Sequence, residues 1–350
     1  EELILDTRIF DEEYVHPTWP VEQLNKWYCA EVSGLNFYTN VVEVFTRPTR
    51  EREPPTYTVE PDAPDIRVRN QARSVGSGQQ TVWAARSHGS NNIVLRGDVR
   101  WVGSPIKVTI HDNASHFGSV FSDRLSKAGI RVGEARRASP EEKFDQRTDL
   151  HIVRTPIEVV LRRTNEDSQN LYAEALLKRI GHEVTGQPGS WANGGTVIRM
   201  LVQERLRNTP ASAVVVADGS GMSRSNAVTP QSISEWLISM ARDEKLSEPF
   251  IRSMATPGSG TLRTRMQNVR LNNGVYAKSG YLNGVHALSG YLIDEETGKQ
   301  VVFSILINNR PSNIPSRFVH EFNEKVVELA DGWLSLKTAP LKQNAEQFGG

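Results

Sequence analysis

The chain has 350 residues and a mass of 39.1 kDa, with 41 Lys and Arg against 41 Asp and Glu. That balance excludes a protein whose main work is gripping nucleic acid or an anionic membrane by bulk charge, and apolar runs such as Val301 to Ile307 fall far below the roughly 18 residues a membrane helix needs. With 38% hydrophobic residues and 26 glycines, the apolar share reaches about 45%, inside the globular range, and the length suits roughly two domains.

The chain opens on Glu1. Residues Glu1 to Asp6 carry neither the basic start nor the long apolar run of a signal peptide, so a mature or trimmed start is expected. The single cysteine, Cys29, has no partner for an intramolecular disulfide or for a zinc or iron–sulfur site, which leaves the redox compartment undecided.

Residues 1–155 read as β-rich. Short alternating or β-branched runs at 39–45, 65–68, 81–83, 93–102 and 106–110 predict strands, separated by Pro- and Gly-bearing stretches at 47–55 and 74–78. One helix interrupts them, because Phe117, Val120, Phe121, Leu125 and Ala128 recur at helical spacing and Gly129 follows as a stop. The second half is more helical, with apolar residues three to four apart over 156–163, 171–180, 191–205 and 230–242. Strands return at 274–278, 285–293 and 300–308, and a helix over 316–334 closes the pattern. This order predicts an α+β domain over 156–336, behind a separate β-rich region at 1–155. The polar stretch 337–350 is expected to be a flexible tail.

Two short strings carry chemistry. Ser168-Gln169-Asn170 stands just before the helix that begins near Leu171; taken alone, it satisfies the free backbone N–H groups of a helix start. Lys278-Ser279-Gly280 ends a strand; taken alone it is a hairpin edge, although an ammonium and a hydroxyl beside a glycine also suit a carboxylate approaching the backbone. Together they match S-x-N and K-[ST]-G, two of the three elements of a penicillin-binding site, the third being S-x-x-K.

Around these strings the chain resembles the low-molecular-mass class C penicillin-binding proteins, the serine D-alanyl-D-alanine carboxypeptidases and endopeptidases of peptidoglycan. The matching residues are Ser168 to Glu174, Gly189-Ser190-Trp191, Asp218 to Asn226, Gly260 to Arg263 and Ala277 to Val285, with Leu5 to Phe10 and Pro17 to Pro20 in the first half. The resemblance implies an α+β, multidomain penicillin-binding/serine β-lactamase-like fold in which 1–155 is a β-rich inserted region and 156–336 the C-terminal part of the peptidase domain.

It also implies an acyl-enzyme reaction on stem peptides ending in D-Ala-D-Ala, with β-lactams as inhibitors, no cofactor, no nucleic acid partner and a place in the periplasm or cell envelope. Ser168 would relay a proton to the leaving amine, and Asn170 would bond the substrate amide and the lysine of S-x-x-K. Lys278 and Ser279 would hold the terminal carboxylate beside Gly280, and the Tyr281 N–H would supply one oxyanion-hole donor. This sequence departs from the pattern at Ser279, where Thr is commoner, and at Tyr281, where Thr or Ser is usual, leaving carboxypeptidase and endopeptidase preference open.

The larger departure is the nucleophile, because the family's S-x-x-K lies upstream of anything matching residue 1. Ser104-Pro105-Ile106-Lys107 has the letters but reads as strand, where a spacing of three sends the side chains to opposite faces; a helix is needed to put the amine beside the hydroxyl. The chain alone is therefore expected to lack activity, and two functions stand side by side: the larger part of a serine peptidase, or a non-catalytic peptidoglycan-binding protein of the envelope. A β-lactamase would need a base for deacylation, and no Glu is placed for it.

The remaining candidates read as structure. Asp218 to Asn226 predicts a glycine-rich turn, His286 a sheet position, and His111 and His116 are five apart with no third ligand, so no metal site is expected. Arg136-Arg137 and Arg162-Arg163 have acids close by and read as solvated faces.

Overall fold

The structure, a computed structural model, describes residues 2–145 and 148–338. Its elements begin with strands β1 (Leu3–Leu5), β2 (Val41–Arg47), β3 (Thr56–Glu60), β4 (Arg67–Ser74), β5 (Trp83–Arg86), β6 (Asn92–Val99) and β7 (Ile106–Thr109). Helix α1 (Asn113–Lys127) and strand β8 (Ala135–Arg137) follow. Then come helices α2 (Ile157–Asn165), α3 (Asn170–Thr185), α4 (Trp191–Arg205), α5 (Pro230–Ala241) and α6 (Ser247–Arg252), strands β9 (Gly274–Leu282), β10 (Val285–Ile293) and β11 (Gln300–Ile307), and helix α7 (Ser316–Thr338).

Two compact units emerge, and they interleave along the chain. The first takes residues up to 152 with 170–198 and 216–226; the second takes 153–169, 199–215 and the residues from 227 on. From residue 339 the expected tail lies outside the described residues, and α7 runs four residues beyond its expected end at Leu334.

In the first unit β3, β2 and β7 form an antiparallel sheet, while β4 runs parallel and β5 antiparallel to β6 in another. Alternate residues of each turn inward, so Val42, Val44, Leu95 and Val108 are fully buried in one shared core with Ile93. A second core gathers Phe10, Trp19, Leu24, Cys29 and Val32 around Leu171 and Leu177 of α3 and Trp191.

Three charged side chains lie buried near this second core. Glu174 accepts the Trp191 indole N–H at 2.7 Å and the N–H groups of Gly219 and Ser220 at 2.8 Å each. Asp218 accepts from the Trp19 indole at 2.9 Å, from Ser223 N–H at 2.5 Å and from the Asn226 amide at 2.7 Å. Lys178 donates to Asp11 Oδ1 at 2.7 Å and the Glu13 carbonyl at 2.6 Å, with its ammonium 3.8 Å from the Trp191 ring centre. Gly219 permits the close approach, since a Cβ there would stand 2.5 Å from the Ala173 carbonyl oxygen.

The second unit is built on the antiparallel sheet β11-β10-β9. Alternation sorts its two faces. Val275, Ala277, Leu288, Leu292 and Phe303 pack with Val327 and Leu334 of α7, whereas Tyr276, Tyr291, Ile293 and Val302 pack with Leu237, Ile251 and Met254 from the α5–α6 region. Tyr291 is fully buried, and its hydroxyl donates to the Leu237 carbonyl at 2.7 Å. Gly290 pairs with Ala277 and Phe303, and a Cβ there would meet the Tyr276 carbonyl oxygen at 2.1 Å.

The elements not foreseen are short or unpatterned. β1 and β8 are three-residue strands that pair in parallel across more than 130 residues of sequence, and β3, Thr-Tyr-Thr-Val-Glu, has only Tyr57 and Val59 to alternate within five residues and gets its ladder from β2. α6 is a six-residue helix too short for a period to register. α1 starts two residues early because Asp112, in a left-handed conformation, caps it by accepting from Ser115 N–H at 3.0 Å.

Candidate active site

The site begins with a turn. α2 ends at Asn165, and the chain passes through Ser168 at φ +56° before α3. A serine in the left-handed region costs on the order of 1 kcal/mol, which the surroundings must offset. Two backbone bonds hold the turn: Gln169 N–H donates to the Arg163 carbonyl at 2.9 Å and Thr261 N–H to the Glu166 carbonyl at 3.1 Å. The Asn165 amide adds a third anchor on Ser253 Oγ at 2.8 Å.

This strained turn presents the Ser168 hydroxyl to Lys278. The Lys278 ammonium donates to Ser168 Oγ at 2.8 Å and to the Ser279 carbonyl at 2.6 Å. Strand alternation explains the direction, because Lys278 shares the face of Tyr276 rather than the α7 face of Ala277. Both partners are neutral, and burial pulls the Lys278 ammonium down to about 8. A buried amine with no counterion among its hydrogen-bond partners holds its proton loosely, which suits it to exchange a proton with the hydroxyl beside it.

Ser279 and Tyr281 fall on the opposite face of β9 from Lys278, and Gly280 between them lies against Ala287, its built Cβ 3.3 Å from the alanine methyl. Tyr281 is 63% exposed and meets the His286 ring edge-on at 5.0 Å. Asn170 opens α3 in the first unit, where its amide donates to the Tyr28 carbonyl at 2.9 Å. Thus the structure brings Ser168 and Lys278 into direct contact, and it gives the Asn170 amide a backbone partner of its own.

The other sequence candidates are accounted for locally. Lys107 lies on β7 and faces Glu43 at 3.3 Å, while Ser104 is exposed in the loop before that strand, so this pair does not share a helical turn. Asp218 organises the turn to Asn226 through its own carboxylate. His111 pairs with Glu31 at 2.8 Å and His116 with Asp65 at 3.0 Å, two separate contacts.

Beside Ser279 and Tyr281, on the α7 face, lies a cavity of about 550 Å³ walled also by Thr261, Arg265, His286 and Asn323. Sequence reading placed His286 as an ordinary sheet residue and gave no role to Arg265 or Asn323. Their positions, scattered from 261 to 323, carry no spacing signal; only the fold gathers them.

Comparison with known proteins follows the same lines. A D-alanyl-D-alanine carboxypeptidase of an Actinomadura species is 28% identical over 333 residues, 90% of this chain and 60% of that protein. A penicillin-sensitive carboxypeptidase A of Dictyostelium discoideum is 26% identical over 220 residues, 59% of this chain and 40% of its own length. The chain therefore spans 60% or less of these two relatives.

The crystal structure of penicillin binding protein 4 from Haemophilus influenzae superposes with a TM-score of 0.73 at 19% identity, over 94% of this chain and 74% of that one. This likeness establishes an α+β, multidomain penicillin-binding fold. The family model described as D-Ala-D-Ala carboxypeptidase 3 matches residues 1–329, so the chain belongs to the D-Ala-D-Ala carboxypeptidase 3 (S13) family.

Proposed function

We propose that this chain contributes the Ser168–Lys278 part of a serine-type D-Ala-D-Ala carboxypeptidase or endopeptidase site acting on peptidoglycan stem peptides in the periplasm or cell envelope. The observation that carries the reading is the 2.8 Å bond from the Lys278 ammonium to Ser168 Oγ, made by a lysine held at about 8. The names of the Actinomadura and Dictyostelium relatives support the reaction class and the sensitivity to penicillin. In this reading residues 1–155 are the inserted β-rich region and 156–336 the C-terminal part of the peptidase domain.

The chemistry is acyl transfer. A serine hydroxyl attacks the penultimate D-Ala carbonyl, the amide C–N bond breaks, and the departing amine must gain a proton. The attacking hydroxyl gives its own proton to the lysine one helical turn from it, while Ser168 gives a proton to the departing amine and takes one from Lys278. Water then hydrolyses the ester: one of its protons returns Lys278 to the ammonium form, and the lysine beside the attacking serine gives its proton back to the serine oxygen as the acyl group leaves. Lys278 and Ser279 attract the terminal carboxylate, Gly280 lets the peptide backbone come close, and the Tyr281 N–H stabilises the developing oxyanion. The attacking serine with a lysine one helical turn away is assigned to sequence outside these 350 residues, since Ser104 and Lys107 lie at the start of a strand.

The test is the intact mass of the protein from its natural source, before and after benzylpenicillin. A species heavier than 39.1 kDa that gains one penicilloyl group, and gains it at least about 100-fold more slowly after Lys278→Met, bears the reading out. A protein with no adduct that still sediments with peptidoglycan sinks it in favour of a non-catalytic wall-binding role.

A further inference from the structure

The β4-β6-β5 sheet of the first unit has a core face and an open face. Ala72, Ala84, Ile93 and Leu95 turn into the core. Strand alternation therefore sends Arg67, Arg69, Gln71 and Arg73 of β4 outward, with Arg96 and Asp98 of β6 and Trp83 of β5. Register sets these side chains beside one another, since Gln71 pairs with Arg96, Arg96 with Trp83, and Arg73 with Asp98.

This face is positive although the chain as a whole is neutral. Its one acid, Asp98, is taken by Arg73, whose Nε donates to Oδ1 at 2.6 Å. Arg67 and Arg69 are exposed, and neither guanidinium bonds another of the described residues. Arg96 is held in place: its Nε donates to Gln71 Oε1 at 2.8 Å, and its guanidinium carbon lies 5.9 Å from the centre of the Trp83 ring. That leaves its two Nη groups for a partner from outside. Arg67 and Arg69 stand two residues apart on one face, and Arg69, opposite Val94, is diagonal to Arg96. Like charges so placed repel and weaken the sheet, and an anionic occupant turns that repulsion into attraction.

Shape narrows the occupant. From Arg67 to Arg73 the row runs about 20 Å along β4, which suits an extended chain bearing acidic groups at intervals better than a small anion. Trp83, 46% exposed on the edge strand β5, adds a flat apolar ring of the kind that packs against a sugar. Sugar rings and repeated carboxylates occur together in peptidoglycan, whose glycan carries the stem peptides.

We propose that the open face of β4, β6 and β5 grips a peptidoglycan strand, with stem-peptide carboxylates on Arg67, Arg69 and Arg96 and a glycan ring against Trp83. It is a non-catalytic hold in the first unit, whereas Ser168 and Lys278 belong to the second. The choice of polymer rests on the peptidase reading. Such a hold keeps a strand on the protein between cleavages and raises the effective concentration of its stem peptides.

The probe is soluble glycan strands whose stem peptides are cut back past D-Ala-D-Ala, so that the peptidase site contributes no hold. They are titrated into the whole chain by calorimetry at about 0.15 M ionic strength. Saturable binding is expected. Arg67→Gln combined with Arg69→Gln should weaken it about tenfold and flatten its salt dependence, Trp83→Leu should weaken it about threefold or more, and strands freed of stem peptides should bind about tenfold more weakly. Arg131→Gln combined with Arg154→Gln, two exposed arginines off this sheet, should change nothing. Every side chain altered is exposed, so folding is preserved. No saturable binding, unchanged affinity in the Arg67/Arg69 pair or in Trp83→Leu, or equal weakening by the control pair overturns the proposal. So does displacement of the strands by poly(glycerol phosphate) at equal charge, which would assign the face to phosphodiester polymers. Failure here with intact penicilloylation removes this face alone; strand binding in a protein that penicillin never labels keeps the face and removes the peptidase reading.

Discussion

Each unit draws one lysine in from solvent, Lys178 fully buried and Lys278 half-buried, and the two are solved differently. Lys178, fully buried in the first unit, has the Asp11 carboxylate, the Glu13 carbonyl and the Trp191 ring around its ammonium. Burial lowers its pKa on balance, with Asp11 opposing the shift. Lys278 in the second unit has a hydroxyl and a carbonyl for partners, and burial alone pulls it down to about 8. A buried charge with a counterion is a rivet; a buried charge among neutral partners is a group kept ready to change its proton. The first unit's other buried acids are held in the same way, since the carboxylates of Glu174 and Asp218 are bonded on both oxygens.

Removing the rivet is the harshest test of this contrast. Lys178→Met leaves the Glu13 carbonyl without that donor and Asp11 without its cation, and is expected to cost about 3–5 kcal/mol in urea denaturation. A loss under about 1 kcal/mol would make Lys178 no more than a surface-like pair. Next is Gly290→Ala, which drives a methyl into the Tyr276 carbonyl 2.1 Å away and is expected to cost about 2–3 kcal/mol by overpacking. Tyr291→Phe removes the donor to the Leu237 carbonyl and should lower the same unit's stability by about 1–2 kcal/mol.

Lys278→Met should change stability at pH 7 by less than about 1 kcal/mol, since it takes away a desolvated charge along with two hydrogen bonds to neutral groups. The sign with pH sharpens the comparison. Lys278 in the folded protein releases its proton near 8, below the ordinary lysine value of about 10.4. Between those pH values the unfolded chain binds more protons, so the wild-type chain gains stability relative to Lys278→Met as pH rises through that window. Below pH 8 the burial penalty is present in full. A difference that stays flat from pH 7 to 10.5 in paired denaturation curves would break the comparison.

Legibility in the sequence followed the range over which the cause acts. The α7, α4 and α5 helices and the β9, β10 and β11 strands announce themselves because an amphipathic period is a local property, and β10 was read to the residue at 285–293. The β1–β8 pair was not, since neither three-residue segment has a pattern and each is a strand only because the other is there. Ser168 shows the same limit at the site: alone it reads as a helix cap, but its hydroxyl takes the Lys278 ammonium instead, and its left-handed backbone leaves no mark in the sequence.

What the amino-acid sequence determined by itself was therefore the class of fold, the resemblance that the family match bears out, and the two strings that hold Ser168 and Lys278. Those depend on residue type and short spacing. What only the tertiary structure decided was which lysine is neutralised by a carboxylate and which is left among neutral groups, and that Thr261, Arg265, His286 and Asn323 share one wall. Burial and proximity are properties of packing, where residues more than 60 apart set one another's charge and hydrogen bonding, and no local period in the chain encodes them.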